Sequence, residues 1–238
     1  GGGRLRAGHD VIVACDPGSA LESKLSQDGV PTAAVPVGRG PLASFRALRR
    51  LVVERGADVL HVYGAKSHSA GLAVALTVPR LAFVVTRGRA RRPGSDLVSR
   101  LKFRSRRIDG YIAVSGAVRD ALVSGGVSPD RVGVVPVGYD DEVIRPATPA
   151  ARAAARAALG LPAAAPVVGV LGNWAPEKGQ AVFLEALARL APERPALRAI
   201  LAGWGTDGPG ARAAIHRGGL EGMVLGLGYR ADVPLLLS

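Results

Sequence analysis

Cysteine is scarce in this chain, and long apolar runs are missing. The single cysteine, Cys15, excludes a disulfide framework and is typical of a reducing compartment. Cys15 ends an apolar run, so we expect it to be a small residue of the core. No apolar run has the length of a membrane span. The sequence therefore predicts a cytoplasmic globular protein.

Motifs of several enzyme classes are also absent. The chain has neither a G-x-S-x-G nucleophile elbow nor a G-x-x-x-x-G-K-[ST] phosphate loop, which excludes the common hydrolase and P-loop classes. No His and Cys residues have the spacing of metal ligands. We therefore expect neither a bound metal nor another cofactor.

Positive charge is abundant and concentrated in one place. The net charge is +12, and the segment 87–107, called the basic segment below, holds nine basic residues against one acidic residue. This segment is either a solvated surface or a surface that meets an anionic acceptor, an anionic membrane or nucleic acid. Phe103 is its only aromatic residue, so stacking platforms are missing and we expect no nucleic-acid partner. The nine residues are Arg87, Arg89, Arg91, Arg92, Arg100, Lys102, Arg104, Arg106 and Arg107.

Short apolar runs alternate with amphipathic helical patterns along the chain. This alternation predicts an α/β fold with doubly wound parallel sheets and with ligands outside the carboxyl ends of the strands. Strands are predicted at 11–15, 59–62, 81–86, 111–115, 132–135, 167–171, 197–202 and 223–227. Helices are predicted at 41–55, 69–76, 96–106, 116–124, 151–159, 180–190 and 210–217.

A stretch rich in Pro and Ala, residues 145–166, interrupts this alternation. We therefore predict a first domain at 1–145, a linker at 146–166 and a second domain at 167–238. In both domains the predicted elements are those of a Rossmann-like fold.

The clearest indication of a ligand site lies between the strand at 167–171 and the helix at 180–190. The loop between them ends in Lys178 and Gly179. A helix that begins after Gly179 directs free N–H groups and its positive dipole end at the loop, and Lys178 adds a cation. The pattern predicts a phosphate site, although a Lys-Gly pair before a helix is also common without a ligand.

This loop resembles the donor-diphosphate loop of the retaining glycosyltransferases of family 4, written G-R-x-x-x-E-K-G. Gly172, Glu177, Lys178 and Gly179 stand at the matching positions, and Asn173 replaces the usual Arg. Three further stretches, 8–11, 109–140 and 203–205, are similar to the family in the same order and at similar spacing. The resemblance therefore covers almost the whole chain.

The resemblance implies a GT-B fold, in which two Rossmann-like domains face each other across a cleft. It implies a bacterial enzyme of cell-envelope glycan biosynthesis that moves a sugar from a nucleoside-diphosphate carrier to a hydroxyl of a glycan or lipid-linked acceptor, with retention of configuration. Two alternatives stay open: a nucleotide-sugar epimerase of the same fold, and a non-catalytic module that binds a nucleotide or phosphate.

The resemblance also implies roles for individual donor-site residues. Lys178, the N–H of Gly179 and the loop residues Gly172 and Asn173 would bind the diphosphate. A neutral Asn173 gives one uncharged hydrogen bond in place of the bidentate contact of Arg, which weakens the donor contact. Asn173 is otherwise an ordinary turn residue.

By the same resemblance, the nucleotide would bind at Gly203, Gly205 and Tyr229 of this chain. Gly203 and Gly205 belong to a Gly-Trp-Gly sequence that follows the predicted strand at 197–202. Trp174, in the diphosphate loop, either covers the sugar or base or packs on the core.

The candidate catalytic residues are Arg87 and His68. Arg87 follows a predicted strand at the position where the family often has a His near the reacting sugar. Arg stays protonated and is no general base, so it would position an acceptor phosphate or the departing diphosphate. We expect His61, inside an apolar run, to be a core residue and His68 to lie on a loop.

Both ends of the chain look cut when they are set against the family. Residues 1–4 align better with the end of a helix than with a glycine-rich phosphate loop, and the family's paired-glutamate motif E-x7-E, with the strands around it, would come later than residue 238. We therefore expect a fragment that lacks the first strand and the C-terminal part of the family, and that is inactive and poorly soluble on its own.

The basic segment also contains a helical pattern at 96–106. Leu97 and Leu101 fall on one face and Arg100 and Arg104 on another, which is typical of a helix at a membrane surface. The alternative is a solvated helix whose leucines pack on the sheet. We expect the first of these, with peripheral contact at the inner face of an anionic membrane.

Overall fold

The chain divides into two compact units, Gly1–Gly138 (unit 1) and Tyr139–Ser238 (unit 2). The computed structural model describes residues 8–37, 40–94, 96–138, 144 and 146–237. In these ranges strands alternate with helices, and each strand pair is parallel. The predicted α/β class with parallel sheets is therefore confirmed.

Unit 1 contains two parallel sheets. A two-stranded sheet joins β1 (Val13–Cys15) to β2 (Thr32–Ala34). A four-stranded sheet has the order β3-β4-β5-β6, with the strands β3 (Val59–Tyr63), β4 (Ala82–Arg87), β5 (Gly110–Ala113) and β6 (Val132–Val134). Because all four strands are parallel, their carboxyl ends lie at the same edge of the sheet.

Three helices of unit 1 begin at residues whose side chains cap the first turn. Ser19, Asp96 and Ser115 each accept a hydrogen bond from the backbone N–H three residues further on, which satisfies one open donor of a first turn. These caps begin the first, fourth and fifth helices of the unit. Its helices are α1 (Ala20–Gln27), α2 (Pro41–Glu54), α3 (Ala65–Thr77), α4 (Leu97–Arg104) and α5 (Gly116–Ser124).

Two apolar clusters form the core of unit 1. The larger one surrounds the middle of the four-stranded sheet, where Phe83, Val85 and Tyr111 are buried against α3 and α5. The smaller one joins Leu48 and Val52 of α2 to the α3 side of the sheet. These clusters hold the strand ends at 63, 87 and 113 in fixed positions, which is what a binding site at that edge requires.

Unit 2 has a three-stranded parallel sheet with the order β7-β8-β9. Leu184 and Leu187, the buried apolar residues of the longest helix of this unit, pack on Ala199 and Leu201 of the central strand. Thr148 caps the first helix of the unit, whose first residue is Pro149. The elements are α6 (Pro149–Ala158), β7 (Val167–Leu171), α7 (Gln180–Leu190), β8 (Arg198–Ala202), α8 (Pro209–Arg217), β9 (Val224–Gly226) and α9 (Val233–Leu236).

The secondary structure departs from the sequence prediction at three short elements and one helix start. The pattern missed α1, β2 and α9 because α1 buries none of its side chains and the other two are three and four residues long. Helix α3 begins at Ala65 rather than at residue 69. Cys15 is buried at the end of β1, as expected.

The predicted linker at 146–166 includes α6, and its residues Leu161 and Ala165 are buried. Arg156 of α6 donates to the carbonyls of Pro162 and Ala165, which ties the helix to the segment before β7. Across the described ranges, no helix combines the length and the apolar character that crossing a membrane requires.

Candidate functional site

Three loops follow the carboxyl ends of β7, β8 and β9 in unit 2 and are joined by backbone hydrogen bonds. The Trp174 N–H donates to the Trp204 carbonyl at 2.8 Å, and the Gly203 N–H donates to the Gly228 carbonyl at 2.7 Å. We call this part of the molecule the unit 2 edge. Ligands of α/β proteins bind outside the carboxyl ends of parallel strands, so this edge is a candidate site.

The N-terminus of α7 is open at the unit 2 edge. Gly179 precedes the helix with φ at 72°, in the left-handed region that glycine adopts without strain, and it has no side chain to cap the helix. Within the described ranges, the N–H groups of Gln180, Ala181 and Val182 have no hydrogen-bond partner. Free N–H groups and the positive end of the helix dipole together attract an anion.

Lys178 is exposed beside this helix terminus, at the end of a 3-10 turn formed by Pro176–Lys178. Its ammonium makes no hydrogen bond or ion pair with any described residue. Its aliphatic part lies near Gly172, where an added Cβ would be 3.6 Å from the Lys178 Cδ. The ammonium is therefore available to a ligand held between the loop and α7.

Asn173 lies in the same loop, and part of its amide is used within the protein. Its Oδ1 accepts a hydrogen bond from the Trp204 N–H at 3.2 Å. Its Nδ2 has no partner among the described residues. The amide oxygen is thus held within the protein, and the NH₂ group is left open to a ligand.

Gly203 is required by the close approach of the first two loops. Its φ is 144°, and a Cβ on this residue would lie 2.3 Å from the Gly172 carbonyl oxygen and 2.7 Å from the Asn173 nitrogen. No flexible side chain is available to yield, because these atoms belong to the backbone. Gly203 therefore keeps the loop that contains Asn173 in its place.

An exposed pair of aromatic rings lies next to these loops. Trp204 and Tyr229 stack with ring centroids 4.7 Å apart and an angle of 20° between their planes. Trp204 is 61% exposed and Tyr229 is 55% exposed, which is unusual for such large apolar surfaces. Trp174 instead packs against the core of unit 2, so of its two predicted placements the structure has the core one.

At the corresponding edge of unit 1, two cations share one aromatic ring. Arg87 ends β4, and its guanidinium lies 5.4 Å from the centroid of Phe103, while the Lys102 ammonium lies 5.7 Å from the same centroid. Burial lowers the pKa of Lys102, and the nearby Arg87 lowers it further. The Arg87 guanidinium has no hydrogen bond or ion pair with a described residue. Because no described carboxylate pairs with either of these two close cations, they form a centre of positive charge.

His68 does not lie on a loop, and that part of the prediction is wrong. It is in the first turns of α3 and is 0% exposed, with its ring edge on Phe103 at 4.9 Å between centroids. Burial lowers its pKa to about 3, and Lys102 and Arg87 contribute to the lowering. Neither ring nitrogen has a hydrogen-bond partner. His68 is therefore neutral at physiological pH and packs beneath the two cations.

The expectation for His61 is also wrong, because its side chain is exposed on β3. Its Nε2 lies 2.6 Å from the Thr86 Oγ1. The next outward residue of β3, Tyr63, pairs with Thr86 across the sheet, and its hydroxyl lies over Gly88 beside Arg87. The sequence analysis did not single out Tyr63 or Trp204 as candidate site residues. Both are aromatic and come shortly after a predicted strand, which is the signal that could have identified them.

Some cations of the basic segment stabilise the fold through hydrogen bonds to backbone carbonyls. Arg107 donates to the carbonyls of Ala75 and Val78 at the end of α3 and pairs with Asp109 at 3.2 Å. Arg92 donates to the Ser124 carbonyl at 2.7 Å. Long-range contacts of this type satisfy open carbonyls at helix ends. The segment is therefore only in part a free charged surface.

Helix α4, in the middle of the basic segment, exposes apolar and basic side chains together. Phe103 is its buried residue, whereas Leu97, Val98 and Leu101 are exposed. Arg100 and Arg104 are exposed as well. Of the two predicted arrangements, the one in which the leucines pack on the sheet is excluded.

Each unit thus presents charged or exposed aromatic groups at the carboxyl ends of parallel strands, and the α/β fold with parallel sheets matches structures of the GT-B class. The structure of a glycosyltransferase from Rickettsia africae matches this chain with a TM-score of 0.79 at 17% sequence identity. The match covers 98% of this chain and 63% of the Rickettsia chain. This similarity concerns the fold.

Residues 5–143 match the sequence profile of Glycosyltransferase Family 4, and the chain therefore belongs to that family. The D-inositol 3-phosphate glycosyltransferase of Mycobacterium tuberculosis is 37% identical over 118 residues, which are 50% of this chain and 22% of that protein. The structure of HepE from Anabaena in complex with UDP-glucose matches with 26% identity and a TM-score of 0.77.

The HepE match covers 94% of this chain and 63% of the HepE chain. The chain therefore spans less than two thirds of that structure, and its match to the mycobacterial relative spans about a fifth of the relative. The suspected family is confirmed by the match over residues 5–143, whereas the loops at 172–179 and 203–205 lie outside that match.

Proposed function

We propose that this protein transfers a sugar from a nucleoside-diphosphate donor to a hydroxyl group of an acceptor that carries an anionic group. The observation that supports it best is the open N-terminus of α7, with Lys178 unpaired beside it. A leaving diphosphate develops negative charge, and cations and N–H donors fixed at that point stabilise the transition state. Membership of the family supports the same reaction over the epimerase alternative.

In this proposal the unit 2 edge holds the donor. Lys178 and the first-turn N–H groups of α7 bind the diphosphate, with Gly172 and Gly179 leaving room for it and the free Nδ2 of Asn173 adding one donor. HepE, whose structure contains UDP-glucose, supports a uridine nucleotide as the first donor to test.

The base of that nucleotide stacks on the exposed pair of Trp204 and Tyr229. An aromatic face accepts any base, and such stacking contributes about 1–3 kcal/mol per base. Gly203 and Gly205 give the loop of Trp204 the conformation that keeps the ring at the surface.

The acceptor's anionic group binds at Arg87 and Lys102 of unit 1. Within the part of the chain that the structure describes, these two cations have no carboxylate partner, and the mycobacterial relative is named for an acceptor that carries a phosphate. Neutral His68 is buried beneath them, so we propose a packing role for it and not a catalytic one. Retention of configuration follows from the family resemblance.

The proposed reaction is tested by incubating the protein with UDP-glucose and an inositol phosphate, and by following the release of UDP. Proton NMR of the product then gives the anomeric configuration. We further propose that Lys178 and α7 supply the positive charge, so EDTA is expected to leave the rate unchanged. UDP binding without any transfer to hydroxyl acceptors supports the non-catalytic module instead.

The Lys178→Ala variant is expected to bind UDP more weakly by about 1.5–3 kcal/mol, the range for a hydrogen bond to a charged group. Isothermal titration calorimetry measures this change. Lys66, an exposed lysine of unit 1, provides the control variant Lys66→Ala, which should bind UDP as the unsubstituted protein does. Unchanged affinity in Lys178→Ala removes this loop from the donor site.

We also propose that α4 lies on an anionic membrane surface. Leu97, Val98 and Leu101 are exposed apolar residues next to the exposed Arg100 and Arg104. An apolar stripe that enters the headgroup region and a basic stripe that meets anionic lipid are the two parts of an interfacial helix. Peripheral contact of this kind needs no membrane-spanning helix.

Sedimentation with vesicles tests this contact. We expect binding to vesicles that contain phosphatidylglycerol, little binding to phosphatidylcholine vesicles, and weaker binding at high salt, since each basic residue near the surface contributes about 1 kcal/mol. The variant Leu97→Ser/Leu101→Ser should lose most of the binding while the charge stays the same. Equal binding to both types of vesicle, or binding to neither, contradicts the proposal.

A further inference from the structure

Gln180, the first residue of α7, is a buried polar residue that directly contacts the loop after β7. It is 2% exposed. Its Nε2 donates to the Asn173 carbonyl at 2.8 Å and to the Gly172 carbonyl at 3.2 Å. Two carbonyl acceptors identify this end of the amide as the NH₂ group, because an amide oxygen would be repelled there. Its Oε1 is buried without a partner among the described residues.

The two carbonyls depend on Gln180. Among the described residues neither the Gly172 nor the Asn173 carbonyl accepts from any other donor. A buried carboxamide oxygen without a donor costs free energy. The hydrogen bonding of the Gln180 amide as a whole therefore does not explain by itself why the amide occupies this position. This cost points to a role of Gln180 in the conformation of the loop.

The orientation of the loop peptides follows from these hydrogen bonds. In a planar trans peptide the N–H points opposite to the C=O, so the carbonyl of Gly172 turned toward the Gln180 amide directs the Asn173 N–H away from that amide. That N–H has no partner among the described residues. The next N–H, of Trp174, is directed in the same manner and donates to the Trp204 carbonyl.

We propose that Gln180 is a positioning residue for the diphosphate site, and this inference rests on the proposed function. Gln180 holds two carbonyl oxygens away from the diphosphate and so keeps the Asn173 N–H free to donate to a phosphate oxygen. Gly172 has no side chain to resist rotation of its peptide. Without the Gln180 amide, a rotated peptide directs a carbonyl oxygen at the diphosphate, which repels it.

The test uses Gln180→Met, which keeps the volume of the side chain and removes both hydrogen bonds. We expect the affinity for UDP and for inorganic pyrophosphate to fall about tenfold, while the affinity for uridine, which has no phosphate, stays unchanged. The matched control is Leu184→Met, a buried residue of the same helix that contacts the core, which should bind all three ligands as the unsubstituted protein does.

A second variant, Gln180→Glu, provides a pH profile that a packing role would not produce. The ionised carboxylate repels both carbonyls and the diphosphate, so UDP binding is lost above the pKa of the introduced carboxyl, which burial and the two carbonyls raise. On protonation the carboxyl again donates to one carbonyl, and we expect affinity to recover as the pH falls, whereas Gln180→Met shows no such recovery.

The outcomes separate the two proposals. If the unsubstituted protein binds neither UDP nor pyrophosphate, the proposed donor site is wrong. Suppose instead that the unsubstituted protein binds both. The positioning role alone is then overturned if Gln180→Met binds UDP, pyrophosphate and uridine as well as the unsubstituted protein does. It is also overturned if the variant loses affinity for all three ligands to the same extent. If Gln180→Met does not fold, the pH profile of UDP binding by Gln180→Glu decides: no recovery at low pH overturns the role.

Discussion

Replacing Gly203 with alanine is expected to destabilise unit 2 by on the order of 3 kcal/mol and to weaken UDP binding by more than tenfold. The new Cβ would lie 2.3 Å from the Gly172 carbonyl oxygen, and the φ of 144° strains any side chain. The loop that carries Asn173 must therefore move away from the loop after β8. Urea unfolding and calorimetric titration with UDP measure the two effects.

Gly222→Ala provides the control for this substitution. Gly222 belongs to the same unit, its φ lies outside the left-handed region, and an added Cβ would contact nothing within 4 Å. Its alanine variant should unfold at the same urea concentration as the unsubstituted protein, or slightly higher. Equal stability and UDP affinity in Gly203→Ala and Gly222→Ala would show that the two loops do not need their close approach.

Lowering the pH from 7 to 3 is expected to remove about 4 kcal/mol of stability through His68 alone. The pKa of His68 is about 3 in the folded chain, because of burial first and of Lys102 and Arg87 second. In the unfolded chain an ordinary His has a pKa near 6.5. Between these values the unfolded state binds the proton and the folded state does not, so stability is complete above about pH 6.5 and falls as the pH falls.

The variant His68→Met isolates this effect from the titration of carboxylates. Met keeps an apolar side chain of similar size against Phe103 and has no proton to bind. The free energy of unfolding, measured by denaturant titration at several pH values, should decrease less steeply below pH 6.5 in the variant. Parallel curves for the two proteins would mean that His68 is protonated in the folded state or exposed in it.

The strand–loop–helix of the unit 2 edge could be predicted because its signals are local. A run of β-branched residues, a Lys-Gly pair and a helical repeat follow one another within residues 167–190, and each acts through its neighbours in the chain. The structure has the predicted elements there, and Gly172, Asn173, Lys178 and Gly179 lie together. Their proposed role in binding remains a prediction.

The placement of His68 could not be predicted, because it depends on a residue distant in sequence. The pattern around residue 68 has no strong apolar periodicity at the start of α3, and burial of the ring comes from Phe103 on α4. For His61 the error was the opposite one, because an apolar run suggested the core but residue 61 is on the outer side of β3. Successive side chains of a strand point to opposite faces of the sheet, so a shift of one residue decides which side chain is buried.

The pair of Trp204 and Tyr229 could not be predicted as a pair for the same reason. The two residues are joined only by the neighbouring positions of β8 and β9 in the sheet. The contacts of Gln180 were equally hidden, since a Gln at the start of a helix is an ordinary surface residue by its sequence pattern. Side-chain hydrogen bonds to loop carbonyls become visible only with coordinates.

The exposed aromatic pair also gives the protein its own optical reporter. The chain contains only two tryptophans, and one of them, Trp174, packs against the core while Trp204 stands at the surface on Tyr229. In a Trp174→Phe variant the emission comes from the surface ring alone. Its intensity and wavelength then follow the surroundings of that single indole, so occupancy of the unit 2 edge can be read in real time without any attached dye.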